Sequence, residues 1–223
     1  MFERIADDVW TTERSQRFWG VECGTRMTVV RLRDGGLFVH CPVALDTATR
    51  QAVDQLGEVR VVAASSLFHH LYVGDWIAAY PGALIAGCPR LAQKRPDLAF
   101  GHELRNEPHP LYADDLEQLY FSARFEHEVV FFHRRTRTVI CADALLNLRE
   151  HPSLGTRIAA RFMANNAPGK GWLEYFAVQR WADARSEVEQ MLKWPIERIV
   201  LAHGSLVPND GQRVLRDAYA WLP

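Results

Sequence analysis

A strand, a turn and a returning strand are written twice in this chain, 100 residues apart, and that duplication constrains the fold more than any other feature. Thr28 to Leu32, the turn Asp34-Gly35-Gly36 and Leu37 to Cys41 read as a β-hairpin, ended by Pro42. Val129 to Phe132, the polar run Arg134-Arg135-Thr136-Arg137 and Thr138 to Ala142 read as a second one. Val29 lines up with Val129, Cys41 with Cys141 and Leu45 with Leu145, without a gap. A helix and a strand follow each hairpin. Asp46 is a good N-cap for Thr47 to Leu56, whose Ala48, Ala52, Val53 and Leu56 share a face, and Gly57 closes it before the strand Arg60 to Ala64. Glu187 to Lys193 and Arg198 to Ala202 echo that pair. Two such units give two packed sheets with helices outside.

At 223 residues and 48% hydrophobic, the chain is long enough for one large domain, 1–223. An insertion interrupts its second half, His151 to Trp181 at its centre and about 147–185 in full, with helical stretches around Ile158 to Met163 and Tyr175 to Trp181. Basic and acidic residues balance at 26 against 27, so no global field draws nucleic acid or an anionic membrane, and neither is expected as a partner. The N-terminus is acidic and lacks a signal-peptide core, and no apolar run approaches the ~20 residues of a membrane span. Cys23, Cys41, Cys88 and Cys141 show no C-x-x-C spacing and read as reduced thiols of a cytoplasmic protein.

Chemistry concentrates where strands end. Val61 to Ala64 is a buried strand, and His69 and His70 follow it at once. Gly74-Asp75 can cap a short helix Trp76 to Tyr80, stopped by Pro81, before a strand Ala83 to Ala86. Pro89 to Pro110 reads as a helix and a long surface loop, and Gln212 to Trp221 as a final helix. Asp143 follows the second hairpin, and His203 follows the last strand. Imidazole and carboxylate together suit zinc, iron or manganese, and three protein ligands with an open position is the catalytic pattern for zinc.

The order of a histidine loop, an Asp in A-D-A-L and a late A-H-G-S resembles the metallo-β-lactamase superfamily. More narrowly, V-R-L-R-D-G-G-L-F-V-H-C-P-V, H-H-L-Y-V-G-D-W-I-A-A-Y-P-G-A and E-V-V-F-F-H-R-R-T-R-T-V-I-C-A-D look like a branch known as a domain of unknown function. The resemblance covers nearly the whole chain. It implies an α/β (α+β) fold, an αββα sandwich of two mixed sheets flanked by helices, with a metal site between the sheet edges of proteins that are often hydrolases. Laid on this chain, the superfamily's H-x-H-x-D-H signature puts Leu67, His69, Leu71 and Tyr72 at its ligand positions, so only His69 matches. The next ligand falls near Arg124, with His127 close by, while Asp143 matches the bridging Asp and His203 the last His. Leu71 stands where the Asp for a second ion is expected, which argues for a single ion.

Each residue also has a plain structural reading. His69 and His70 can finish a strand by hydrogen bonding, Asp143 can cap a helix, and His203 before Gly204 can be a turn histidine. His127 and His133 read as surface residues on one strand face, the arginines of the second turn as a solvated tip, and the tryptophans, including Trp19, Trp76, Trp172 and Trp194, as packing residues. Two functions of different class therefore stand. One is a metal-dependent hydrolase, with one ion on His69, Asp143 and His203, His70 as a fourth ligand, and Asp143 orienting the water or taking its proton. The other is a metal-free cleft that binds a small molecule or protein partner. A homodimer through the insertion is compatible with either.

Overall fold

The computed structural model describes residues 2–165, 167–169 and 172–223, the side chains of 172–174 apart. Lys170, Gly171 and the Trp172 side chain lie outside the described residues. The first half runs β1 (Glu3–Ala6), β2 (Val9–Arg14), a small hairpin of β3 (Arg17–Phe18) and β4 (Val21–Glu22), β5 (Thr25–Arg31), β6 (Leu37–His40), α1 (Thr47–Leu56), β7 (Val59–Ala64), α2 (Val73–Ala79), β8 (Leu84–Gly87), α3 (Leu91–Lys94) and β9 (His102–Glu103). The second runs β10 (Leu116–Phe121), β11 (Glu128–His133), β12 (Thr138–Ile140), α4 (Leu154–Phe162), α5 (Trp172–Ala177), α6 (Trp181–Met191), β13 (Arg198–Val200) and α7 (Gly211–Ala218). One mixed sheet has the order β1-β2-β5-β6-β7-β8-β9, the other β10-β11-β12-β13.

Strand alternation explains the layers. On the first sheet Val30, Phe38, Val61 and Ala63 face inward and meet Leu116, Val129, Phe131 and Ile140 of the second. Their sequence neighbours Val29, Val39, Val62 and Ala64 face the other way, onto Val53 of α1 and Val73 and Trp76 of α2. On the second sheet Val130, Phe132, Val139 and Ile199 face Val188 of α6 and Leu215 of α7. Strands buried on both sides are apolar over most of their length, and the result is helix, sheet, sheet, helix, as expected.

Local readings hold with some corrections. Asp46 caps α1 through Thr49 N at 2.6 Å, and the Gly57 N–H closes the helix on Val53 O. Ala48 is exposed and Thr49 buried, so the inward face of α1 keeps Ala52, Val53 and Leu56 and takes Thr49 in place of Ala48. The α2 helix begins at Val73, placing Gly74 and Asp75 in its first turn instead of at its cap. His133 is wholly buried, with Nδ1 2.8 Å from Thr136 Oγ1, and His127 precedes β11 in a left-handed conformation, so the shared exposed face does not exist. Trp76 and Trp194 are packed as expected, whereas Trp19 is 88% exposed. All four cysteines are free.

Candidate metal centre

Three strand ends meet at one place. After β7, Ser65 and Ser66 turn the chain into a loop that carries His69; after β12 comes Asp143; after β13 comes His203. His69 Nε2 lies 3.4 Å from Asp143 Oδ1, His203 Nε2 lies 3.4 Å from the same oxygen, and the two Nε2 atoms are 3.1 Å apart. The side chains of all three are mostly buried. Among the described residues, this is the one His/Cys/Asp/Glu cluster of three or more whose donor atoms converge within 4.8 Å.

Each member is held by something specific. The His203 ring is fixed by Nδ1, 2.7 Å from the Gly24 carbonyl, which as an acceptor requires a proton on Nδ1 and leaves Nε2 as the atom that faces the cluster. Gly204 has φ +89°, and a side chain there would collide with the Asn147 carbonyl, so only glycine lets the chain after His203 pass this close to Asn147. Ser66 Oγ donates to Asp143 Oδ2 at 3.2 Å and accepts from the backbone of Phe68 and His69 at 3.2 and 3.3 Å, tying the histidine loop to the carboxylate. Glu128, fully buried at the start of β11, accepts the backbone N–H groups of Ala142, Asp143 and Ala144 at 2.5, 2.8 and 2.6 Å. No helix follows Asp143, which removes the capping reading of that residue.

The electrostatics favour a cation. Burial works against the charge on Asp143, but the two histidines outweigh it and hold the carboxyl well below its usual range. Burial likewise opposes charge on His203, yet contact with Asp143 and the neighbouring Cys23 thiol raises it to about 10. Burial, then the charge of Asp143, pushes the Glu128 carboxyl up, against the pull of its backbone donors.

The other residues singled out in the sequence lie apart. His70 is buried with Nδ1 3.1 Å from Arg95 Nη1, and burial, then Lys94 and Arg95, push it down to about 4. The structure does not bring it to the cluster. Leu71 is 58% exposed, and the Tyr72 hydroxyl donates to Gln16 Oε1 at 3.1 Å. Arg124 is buried, paired with Glu126 at 3.0 Å, and donates to the Asp143 backbone carbonyl at 2.9 Å, so a guanidinium stands beside the loop where the resemblance expects an imidazole. His127 instead contacts Arg90 at 3.0 Å and the Tyr120 hydroxyl. Glu128, Ser66 and Gly24 were not singled out from sequence. For Glu128 the signal was there: a lone carboxylate opening an apolar strand needs buried donors.

This architecture is the metallo-β-lactamase fold. Solved structures similar to it include DIM-1 metallo-β-lactamase, with TM-score 0.68 and 12% identity over 99% of this chain and 94% of that one. A metallo-β-lactamase from Pontibacter korlensis has TM-score 0.66 and 10% identity over 100% and 98%. FIM-1 from Pseudomonas aeruginosa in its mono-zinc form has TM-score 0.65 and 12% identity over 99% and 94%. Within that fold, the chain belongs to the family described as Domain of unknown function (DUF4336), which matches residues 6–168. No curated protein matches it in sequence.

Proposed function

We propose that the chain, read as one unit over 1–223 with 147–185 inserted, is a hydrolase that works with a single divalent ion held by His69 Nε2, Asp143 and His203 Nε2. The observation that carries this is the spacing of the donors. Ligands about 2.0 to 2.2 Å from a tetrahedral zinc ion lie about 3.3 Å from one another, and here the separations are 3.1, 3.4 and 3.4 Å. Three protein ligands leave a fourth position open. A divalent ion there would supply a water acidified towards neutrality and a Lewis acid for a carbonyl or phosphoryl oxygen. The chain's own residues do the rest. His203 is kept in the ligating tautomer by Gly24, and Oδ1 of Asp143, 3.4 Å from both Nε2 atoms, serves as the ligand, while Oδ2, steadied by Ser66, orients the water or takes its proton. Glu128 keeps the 142–144 backbone in place beneath it.

Two ions are not favoured, since Leu71 offers no donor and the Tyr72 hydroxyl is engaged by Gln16. His70, turned to Arg95, serves the loop instead of the ion. Elemental analysis of protein purified without a His-tag or chelator tests the reading. About one equivalent of zinc, iron or manganese is expected in the wild type, none in Asp143→Ala or His203→Ala, and ester and phosphodiester screens follow from that result. A wild type that stays free of metal after reconstitution would sink the hydrolase. The reading that remains is a metal-free cleft that binds a small molecule or protein partner, supported by the replacement of the family's other ligands by Leu67, Leu71, Tyr72 and Arg124.

A further inference from the structure

The three donors of the cluster are steadied from different parts of the chain. Ser66 lies three residues from His69 on the same loop, and Glu128 holds the backbone of Asp143 from the strand beside β12. His203 is gripped by more distant segments. Its backbone carbonyl accepts from Asn147 N at 3.2 Å, Asn147 Nδ2 donates to Ser205 O at 2.8 Å, and Ser205 N donates to Asn147 O at 3.0 Å. The residue and its successors are thus paired with the first residue of the segment 147–185. The His203 ring rests on the Gly24 carbonyl, and Gly24 follows directly on the β3–β4 hairpin.

That hairpin has little in its own strands to hold it. β3 and β4 are two residues each, and Arg17, Phe18 and Trp19 are exposed. Polar bonds close its root instead. Gln16 O accepts from Cys23 N at 3.0 Å and Gly24 N at 3.2 Å. The Glu22 carboxylate turns back on the same residues, Oε1 accepting from Gln16 N at 2.8 Å and Gly24 N at 3.2 Å, and Oε2 from Ser15 Oγ at 2.7 Å. Gly24, at φ +66°, has Glu13 on its other side, where a Cβ would lie 2.6 Å from Oε1, so its peptide has little room to turn. The segment 147–185 touches this root as well. Thr156, buried in α4, donates from Oγ1 to the Glu22 carbonyl. A helical threonine hydroxyl ordinarily bonds a carbonyl of the preceding turn, whereas this one reaches a residue 134 positions away. We infer that residues 147–156 clamp His203 from two sides, Asn147 on its backbone and Thr156 on its ring through Glu22 and Gly24, which makes Glu22 and Thr156 positioning residues of the metal centre. Their effect on an ion rests on the function proposed above; their effect on the His203 ring does not. With the root opened, the Gly24 carbonyl shifts, the ring is free to rotate, and Nε2 leaves its place 3.1 Å from His69 Nε2 and 3.4 Å from Asp143 Oδ1.

The test has a zinc arm and a zinc-free arm, both on the full chain. In the first, zinc affinity is measured by competition with a chromophoric chelator. Glu22→Ala should lower it about tenfold, the usual cost of losing a group that orients a ligand. Glu22→Gln, whose amide oxygen can still face Gln16 N and Gly24 N, should recover most of that loss. Thr156→Val keeps the shape and removes the hydroxyl, and should cost about threefold. Thr156→Ser should restore it, and Arg161→Gln, on the exposed side of the same helix, should match the wild type. In the second arm, in EDTA, the nitrogen-15 NMR signal of the His203 Nδ1–H should be sharp and slow to exchange in the wild type and broadened in Glu22→Ala and Thr156→Val, with circular dichroism showing that the fold is retained. Equal zinc affinity in Glu22→Ala and wild type, or in Thr156→Val and Thr156→Ser, overturns the inference. So does an Nδ1 proton that exchanges alike in wild type and Glu22→Ala. A wild type that takes up no zinc sinks the hydrolase alone, and the Nδ1 proton then decides between a clamped ring and a free one.

Discussion

The two hairpin units share a backbone and divide the labour. In the first, His40 ends β6 opposite Ala63 of β7, and the next residue, Cys41, donates to Ala63 O at 3.0 Å. In the second, Ile140 ends β12 opposite Val200 of β13, and Cys141 donates to Val200 O at 2.9 Å. So β6 and β12 correspond at the offset of 100 seen in sequence. The preceding strands do not. Thr28 faces His40, but the residue facing Ile140 is Phe131, three positions beyond Glu128. That slip has a consequence. Counting along each ladder sets Thr25 level with Val43 in the first unit and Glu128 level with Asp143 in the second. Val43 is completely buried and its carbonyl accepts from Trp76 Nε1 at 2.8 Å. One unit thus spends this position on packing, while the other holds a carboxylate there and steadies its backbone with a second carboxylate.

Substitutions at matched positions should separate the two roles. Asp143→Ala should abolish metal binding, from about one equivalent to none. Val43→Ala should leave metal content unchanged and cost about 2 kcal/mol in chemical denaturation, as truncation of a filled core position does. If both variants lose metal, the positions are not divided as described. Glu128→Gln comes next. An amide can offer one acceptor oxygen where the carboxylate offers two, and its NH₂ would face a backbone N–H, so a loss of about 2 to 3 kcal/mol is expected together with weaker metal binding. Thr25→Val, at the matched position, should change stability by well under half of that. Smaller again is Ser66→Ala, which frees one oxygen of Asp143. Competition with a chelator should show metal affinity reduced about tenfold, with a loss of about 1 kcal/mol in stability because the N–H groups of Phe68 and His69 also lose their acceptor.

Much of the fold was legible because buried strands and hairpin turns announce themselves over short stretches: the apolar run Val61 to Ala64, the Asp34-Gly35-Gly36 turn and the Asp46 cap all fall where the sequence puts them. The meeting of His69, Asp143 and His203 was legible as three strand ends, but their tight convergence depends on the stagger between β11 and β12, which alternation alone does not fix. The same limit hid Glu128, whose role arises only when its strand slides level with Asp143. His133 was misjudged because counting along a strand gives a face but not the neighbour that covers it. Arg124 falls near a position where the resemblance expects a ligand, yet nothing local reveals that Glu126 pairs with it in the interior.

The last comparison sets His40, which ends β6 in the first unit, against Ile140, which ends β12 in the second. His40 is almost completely buried beside the Phe131 ring, and burial, with His69 adding to it, lowers its pKa to about 3. The unfolded chain would protonate it near 6.5. Between these values the unfolded state holds the proton and the folded state does not, so stability falls as the pH drops from about 6.5 towards 3. His40→Gln removes that contribution. The loss of stability between pH 7 and pH 5, measured by urea denaturation, should then be smaller in the variant than in the wild type by about 2 kcal/mol at most. Identical losses would mean that the first unit keeps a charged imidazole inside its sheet, and that it, like the second, carries a buried charge of its own.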